Sequence, residues 1–510
     1  MKIRNYLLLL CSAGLFSCKK TIDLYPESNL NTGTYYSNYE EVKAALTGAY
    51  NNMQKPLNYE WELTELRSDN SKMGSPGSTA SNNRDLSDLD MFIPSTTQTA
   101  IYQYWLSSYN TIRNANIILE KLGVTYDPAA GALTYNSIDL PIEDADRKQL
   151  AGEAMFIRAY NYFNLVRLYG GVFLIYQSVT PDDAKKLERS SVADIYKLIE
   201  ADLKTAAGSM NTLKFSQMAP ADLGRANHWA AEGLLAKAYL TLNRKTEAAT
   251  LLQDVITNSG YHLQPTYAKV FDITNEMNDE ILFAVRFKAG GLGLGSPFGN
   301  TFAPLGTGST IINGDGDGLN YPTADLDTAT NDDLRKPNIL KVTGDKWYVT
   351  KYLFPVTTAD DGESDWPVLR YPDILMMLAE AQGYSQSSLD LINAVRPRAG
   401  LASYTTATVT NVAQFEQALS NERRIEFAFE DQRWFDLVRF NTTLTTITAQ
   451  QVIKDHYADE YFTHYRSYLP PTPTLAQLQS WITADKLLLP IPQHEIDTNT
   501  QLKITQNPGY

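Results

Sequence analysis

The chain has 510 residues, with 44 Lys and Arg against 58 Asp and Glu, for a net charge of −14. At about 150 residues per domain, that length holds roughly three domains or one large unit. A hydrophobic fraction of 43% with 20% charged residues excludes wholesale disorder, and the acidic balance argues against a nucleic-acid binder, which needs clustered cations against phosphates.

Lys2 and Arg4 open the chain, and Tyr6 to Phe16 is an unbroken apolar or small-residue run. It is too short to span a bilayer but suits the core of a secretory signal. It ends at Leu15-Phe16-Ser17-Cys18, which resembles a bacterial lipobox. We therefore expect a lipoprotein signal over residues 1–17 and lipidation of Cys18. Removing the signal takes away two cations and no anions, so the net charge becomes −16. The only other cysteine, Cys11, leaves with the signal, and no thiol remains for a disulfide. Two or three acyl chains such as palmitate would hold Cys18 stably at a membrane, since each buried CH₂ contributes about 0.8 kcal/mol.

Residues 18–34 read as a polar linker. Helical periodicity then predicts helices at Glu40–Met53, Gln98–Lys121, Asp146–Tyr169, Val192–Ala207, Arg225–Leu242 and Thr246–Asn258, separated by breakers at Gly170-Gly171, Gly208, Asn243 and Gly260. The pattern around Leu235, Ala236, Tyr239, Ala248, Leu252 and Val255 resembles a tetratricopeptide unit. Ile374–Ala381 with Leu389–Val395 offers a second, shorter pair. The predicted fold is mostly α, a tetratricopeptide-like helical-repeat scaffold with long irregular loops and a few short strands. Residues 35–270 form its N-terminal region and 271–510 its C-terminal region, packed as one unit.

Two segments read as long loops: 71–97, rich in Ser, Asn, Asp and Gly, and 289–320, with ten glycines between Gly290 and Gly318. Scaffolds place binding residues on such segments. The candidate ligand-binding residues are therefore Asn70, Phe92, Phe298, Asn300, Phe302 and Tyr321, with Trp347 and Trp366 in reserve. Exposed rings there would stack on the flat faces of sugars, and the amides would bond to hydroxyls.

Searchable catalytic signatures are absent, among them G-x-S-x-G, H-E-x-x-H and the phosphate-binding G-x-x-x-x-G-K-[ST]. The five histidines are scattered without ligand spacing, so no metal site and no cofactor are expected. One calcium-like half-motif, Asn313, Asp315 and Asp317 followed by Gly318, lacks the acid at its twelfth position, where Ala324 stands. A flexible turn is the favoured reading. The charge-dense stretch Glu422–Arg439 reads as structural, with Asp436 one helical turn from both Arg433 and Arg439 and the charges paired or solvated. Glu153, Arg158 and Arg167 are read the same way.

Five blocks in order resemble the RagB/SusD family of nutrient-binding outer-membrane lipoproteins of Bacteroidetes. They are Cys18 with Ile22-Asp23-Leu24-Tyr25-Pro26, then Glu153–Val172, then Arg370–Ala381 with Ile392–Leu401, then Glu422–Arg439, and finally Pro490–Tyr510. Two departures stand out: Lys19-Lys20 follow the cysteine where many relatives carry acids, and the linker Gly383–Ser388 is short. The resemblance implies a non-enzymatic, lipid-anchored protein of the outer membrane, facing the exterior. Such a protein captures an oligosaccharide and passes it to a SusC-like TonB-dependent transporter. The alternatives are a surface polysaccharide hydrolase, a peptide-binding member of the family, or a purely structural envelope lipoprotein. The family's ligand-contacting rings come from variable loops, so no single site residue carries over.

Overall fold

Asn38, Ser191, Asn227, Asn411 and Thr448 each accept a hydrogen bond from the backbone N–H three residues on, and each starts a helix. A short polar side chain there satisfies a donor that the first turn leaves orphaned. The computed structural model describes residues 35–74, 81–344, 346–468, 471–499 and 502–510. The expected signal peptide and Cys18 lie outside the described residues.

The longer helices of the first half are α1 (Tyr39–Asn52), α2 (Gln54–Thr64), α3 (Ser81–Asp90), α4 (Thr99–Lys121), α5 (Asp144–Tyr169), α6 (Val192–Ser209), α7 (His228–Thr241) and α8 (Lys245–Asn258). From α5 to α8, each helix packs on the one before it, which is the logic of a stacked helical repeat. Leu235, Ala236 and Tyr239 of α7 and Ala248, Leu252 and Val255 of α8 are all buried, as the repeat pattern expects. Helix α5 ends at Gly170 (φ 71°), and Asn243 between α7 and α8 also takes positive φ (57°), the usual stop conformation.

The second half adds α9 (Phe298–Phe302), α10 (Ala324–Ala329), α11 (Tyr371–Gln382), α12 (Gln386–Asn393), α13 (Val412–Glu426), α14 (Arg433–Thr443) and α15 (Ala449–Glu460). Among the described residues there are also four two-stranded antiparallel ladders, β1 (Ser71–Met73) with β5 (Asn320–Pro322), β2 (Val124–Asp127) with β3 (Ala132–Tyr135), β4 (Ile281–Val285) with β8 (Trp366–Arg370), and β6 (Leu340–Thr343) with β7 (Lys346–Val349). Helix α8 packs on α11, and one contiguous apolar core runs from Val42 to Ile504.

The described parts of segment 71–97 are more ordered than its composition suggests. They contain β1 and α3, whose Leu86 and Leu89 are buried. The last residue of α3, Asp90, is a buried anion that accepts from Tyr465 at 2.8 Å, from Tyr468, and from the Met73 N–H at 3.0 Å, with His464 Nε2 at 3.1 Å. Tertiary burial of two leucines and one carboxylate overrides weak local propensity.

The stretch Glu422–Arg439 also differs from expectation. It is not one helix with a solvated face. It breaks between α13 and α14, where Phe429 (φ 62°) and Asp431 (φ 57°) adopt left-handed backbone, costly for a bulky residue. Its charges are buried. Arg335 pairs with Asp333, Glu422 and Glu426 at 2.7–2.8 Å. Arg370 reaches Glu280, Glu426 and Glu430 at 2.8–3.0 Å, Arg398 reaches Glu280 and Glu426 at 2.6 Å, Arg396 pairs with Glu422 and Lys351 with Glu430. These five cations face five carboxylates, so the network is neutral in sum. Asp436 does pair with Arg439 at 2.9 Å, but its second partner is Arg423 at 2.7 Å, because Arg433 turns to Asp69 at 2.6 Å. Arg158 likewise pairs inside the protein, with Asp202 at 2.7 Å. The structural reading of these blocks holds, with burial in place of solvation.

One corner of this region opposes the rest. Glu65 accepts from the Asp431 N–H at 2.8 Å, but its Oε2 and Asp431 Oδ2 have no hydrogen-bond partner. Burial pushes Glu65 up to about 8 and raises Asp431 as well. A carboxyl whose folded pKa lies above its unfolded value contributes stability at low pH and loses it as pH rises through the folded value. Glu65→Gln should therefore be more stable than the parent at pH 8, by roughly 2 kcal/mol, with the gap closing towards pH 5. Denaturant titration at both pH values measures it, and a gap that is constant with pH would contradict the assignment.

Candidate glycan-binding rim

The sequence-derived candidates separate cleanly by burial. Phe92, Phe298 and Phe302 are 2%, 1% and 1% exposed, and Asn70 and Asn300 are 0% and 3% exposed. These five do not form a surface. Phe92 packs on Trp434 at 5.5 Å, and the Arg67 guanidinium lies over both rings. Phe298 and Phe302 join Trp61, Tyr352 and Trp366 in an aromatic box, with Phe298 to Trp366 at 4.3 Å and Tyr352 stacked on Trp366 at 4.7 Å. Trp366 is buried too. The physical reason is that glycine-rich segments supply few apolar groups, so their rings are drawn under the loop to anchor it. Asn300 latches the same loop, donating to the carbonyls of Asn313 and Asp315 and accepting from the Asp360 N–H. Asn70 bonds to Arg424 from both ends of its amide.

Tyr321 and Trp347 behave differently, and both are half-exposed. Tyr321 lies on β5 directly opposite Lys72 of β1. Lys72 Nζ sits 5.2 Å over the Trp347 ring of β7, and β5 packs on β7. Such a cation over an indole face orients the ring as well as attracting it. Lys72 also pairs with Glu460 at 2.7 Å, and Glu460 accepts from the Ala324 N–H at 2.7 Å at the start of α10. Burial raises the Glu460 carboxyl, but the Lys72 ammonium and the Ala324 N–H outweigh it and hold it below the usual range. That carboxylate is a fixed anchor rather than a proton donor.

Close backbone approach shapes the floor. A Cβ on Gly74 would come 1.8 Å from the Gly318 carbonyl oxygen and 2.8 Å from the Tyr321 ring, so only glycine lets β1 and the 318 turn meet beneath that ring. Lys346 donates to the Leu305 carbonyl, tying the 305 loop to β7. Leu305, 52% exposed and beside the Gly318 turn, extends the apolar border. The result is two half-exposed rings beside an ion-paired cation at one edge, a set suited to stacking against a polyol.

Asp315 at the calcium-like turn is already committed. Its carboxylate accepts from the backbone N–H groups of Gly306, Thr307 and Gly316 at 2.9–3.1 Å, and Asn313 donates to the Thr357 carbonyl. The motif serves here as an Asx-type loop closure.

Two family models match the chain. Residues 321–510 match the SusD family, and residues 22–240 match a family described as starch-binding and associating with the outer membrane. The chain belongs to the SusD family. A SusD-like protein of Formosa agariphila is 25% identical over the full length of both chains. A solved laminarin-binding SusD-like protein superimposes with a TM-score of 0.75 at 24% identity, covering 93% of this chain and 100% of that one. Surface glycan-binding protein A of Bacteroides thetaiotaomicron, solved with laminarihexaose, gives 0.71 at 18% identity over 92% and 99% of the two chains. These superpositions bear out the mostly helical SusD-like fold. Among the described residues no helix is long and apolar enough to cross a membrane.

Lys72 and Glu460 were not anticipated from sequence. The β1–β5 pairing that creates their neighbourhood joins residues some 250 positions apart, and no local pattern announces it.

Proposed function

We propose that this SusD-family protein is held at the outer membrane through Cys18, captures an oligosaccharide of the glucan type, and passes it to a SusC-like TonB-dependent transporter. The observation that carries the reading is the pair of half-exposed rings, Tyr321 and Trp347, set about Lys72. The starch-binding description of the matched family and the laminarin and laminarihexaose ligands of the structural relatives support the sugar class. The protein acts by ground-state capture, and uniform binding of that kind accelerates no chemical step.

Calorimetric titration with maltoheptaose, laminarihexaose and a panel of peptides tests this. Binding of at least one glucan, with no new reducing ends over hours, is the expected result. Binding of peptides alone, or reducing ends that grow with protein concentration, would overturn it. For the anchor, Cys18→Ala should move the protein from the membrane fraction to the soluble fraction, and unchanged partition would count against lipidation.

A further inference from the structure

The edge of the α7–α8 helix pair gathers three unlike donors. His228 opens α7, Glu232 follows one turn later on the same face, and Asp254 comes from α8. Their nearest ligand atoms all lie within 4.8 Å of one another. Neither helix contributes to the Tyr321–Trp347 rim.

Two independent details separate this trio from an ordinary surface ion pair. His228 Nδ1 lies 2.6 Å from the Ala207 carbonyl oxygen. That contact puts a proton on Nδ1 and leaves Nε2 facing the carboxylates, the arrangement by which a protein orients a metal-binding imidazole. Glu232 is only 5% exposed, yet its Oε2 has no hydrogen-bond partner and points towards His228 Nε2 at 3.3 Å. A buried carboxylate oxygen left unsatisfied is destabilising, so something must complete it: a second proton on the imidazole or a cation between the side chains.

We propose that His228, Glu232 and Asp254 form a site for a divalent first-row transition ion of the zinc type. An imidazole nitrogen disfavours calcium and magnesium, which take oxygen ligands. One neutral imidazole with two carboxylates balances a dication, and zinc accepts this donor set with water in the fourth position. Asp254 is half-buried and held by Asn258 on its own helix, so it can close the short remaining gap. The bound ion would strap α7 to α8 and replace the missing partner of Glu232.

Titrating the EDTA-treated protein with zinc chloride, by calorimetry and by thermal melting, tests the site. The expected result is one-to-one uptake and a rise in Tm of several degrees. Glu232→Gln and Asp254→Asn should each weaken uptake about tenfold or more, and His494→Ala should not. Asp254→Asn touches a half-buried residue, so it remains informative if Glu232→Gln folds poorly; metal-free melting of each variant reports on folding. No uptake by the parent protein would show that the trio is a protonated-histidine ion pair, and equal uptake by the parent and both carboxylate variants would place the metal elsewhere. Either outcome overturns the proposal.

Discussion

Glu426→Gln is expected to cost about 3–5 kcal/mol of stability, the range for removing one partner of a buried ion pair. Glu426 is fully buried and accepts from Arg335 at 2.8 Å, Arg370 at 3.0 Å and Arg398 at 2.6 Å. A glutamine fits the same space, so packing is preserved and the loss isolates the charge. What remains is a buried excess positive charge in a network of otherwise matched ions, and each ion was costly to desolvate. Burial raises the Glu426 carboxyl, but Arg398, Arg370 and Arg335 together bring it down to about 2. A carboxyl with a folded pKa below its unfolded value contributes stability above the unfolded value, near 4.5, and loses it as pH falls towards the folded value. The gap between parent and variant should therefore be full at pH 7 and shrink between pH 4.5 and 2. Denaturant unfolding across that range measures it, and a loss under 1 kcal/mol at pH 7 would mean that the network is not coupled as its geometry indicates.

The second large effect concerns binding. Replacing Tyr321 and Trp347 together by Ala should reduce glucan affinity by one to two orders of magnitude, since each stacked ring contributes about 0.5–1.5 kcal/mol beyond its buried area. Stability should change little, because both rings are half-exposed and neither belongs to the aromatic box under the loop. Phe298→Ala should do the reverse: the ring is 1% exposed and touches Phe287, Phe302, Tyr352 and Trp366, so its loss costs about 3–5 kcal/mol. Calorimetry and thermal melting on the two variants separate the roles. Binding that survives the double replacement would remove the rim from consideration.

Much of the scaffold was legible in the chain because amphipathic periodicity is a local property. Five of the six predicted long helices begin and end within about two residues of their observed limits, and α7 starts three residues later than expected, at His228 after its Asn227 cap. Helix α3 escaped because only Leu86 and Leu89 mark its buried face, and what fixes it is Asp90 meeting Tyr465 and Tyr468 from far along the chain. The rim was half legible for a similar reason. Tyr321 and Trp347 could be named as aromatic residues near glycine-rich turns, but their exposure depends on which rings the loop draws inward, and that is decided by Trp61, Tyr352 and Trp366. The charged blocks were recognisable as a family pattern, whereas their burial follows from cross-chain pairs such as Arg370 with Glu280. His228 and Glu232 stand one helical turn apart in plain view, but Asp254 joins them only through the packing of α7 on α8.

On the reading proposed above, the Tyr321–Trp347 rim receives a sugar chain. A crystal structure of the protein soaked with laminarihexaose or maltoheptaose tests it most directly. Glucose rings should stack on Tyr321 or Trp347, with Lys72 within hydrogen-bonding reach of a hydroxyl. Sugar density on a face that touches neither ring would contradict it.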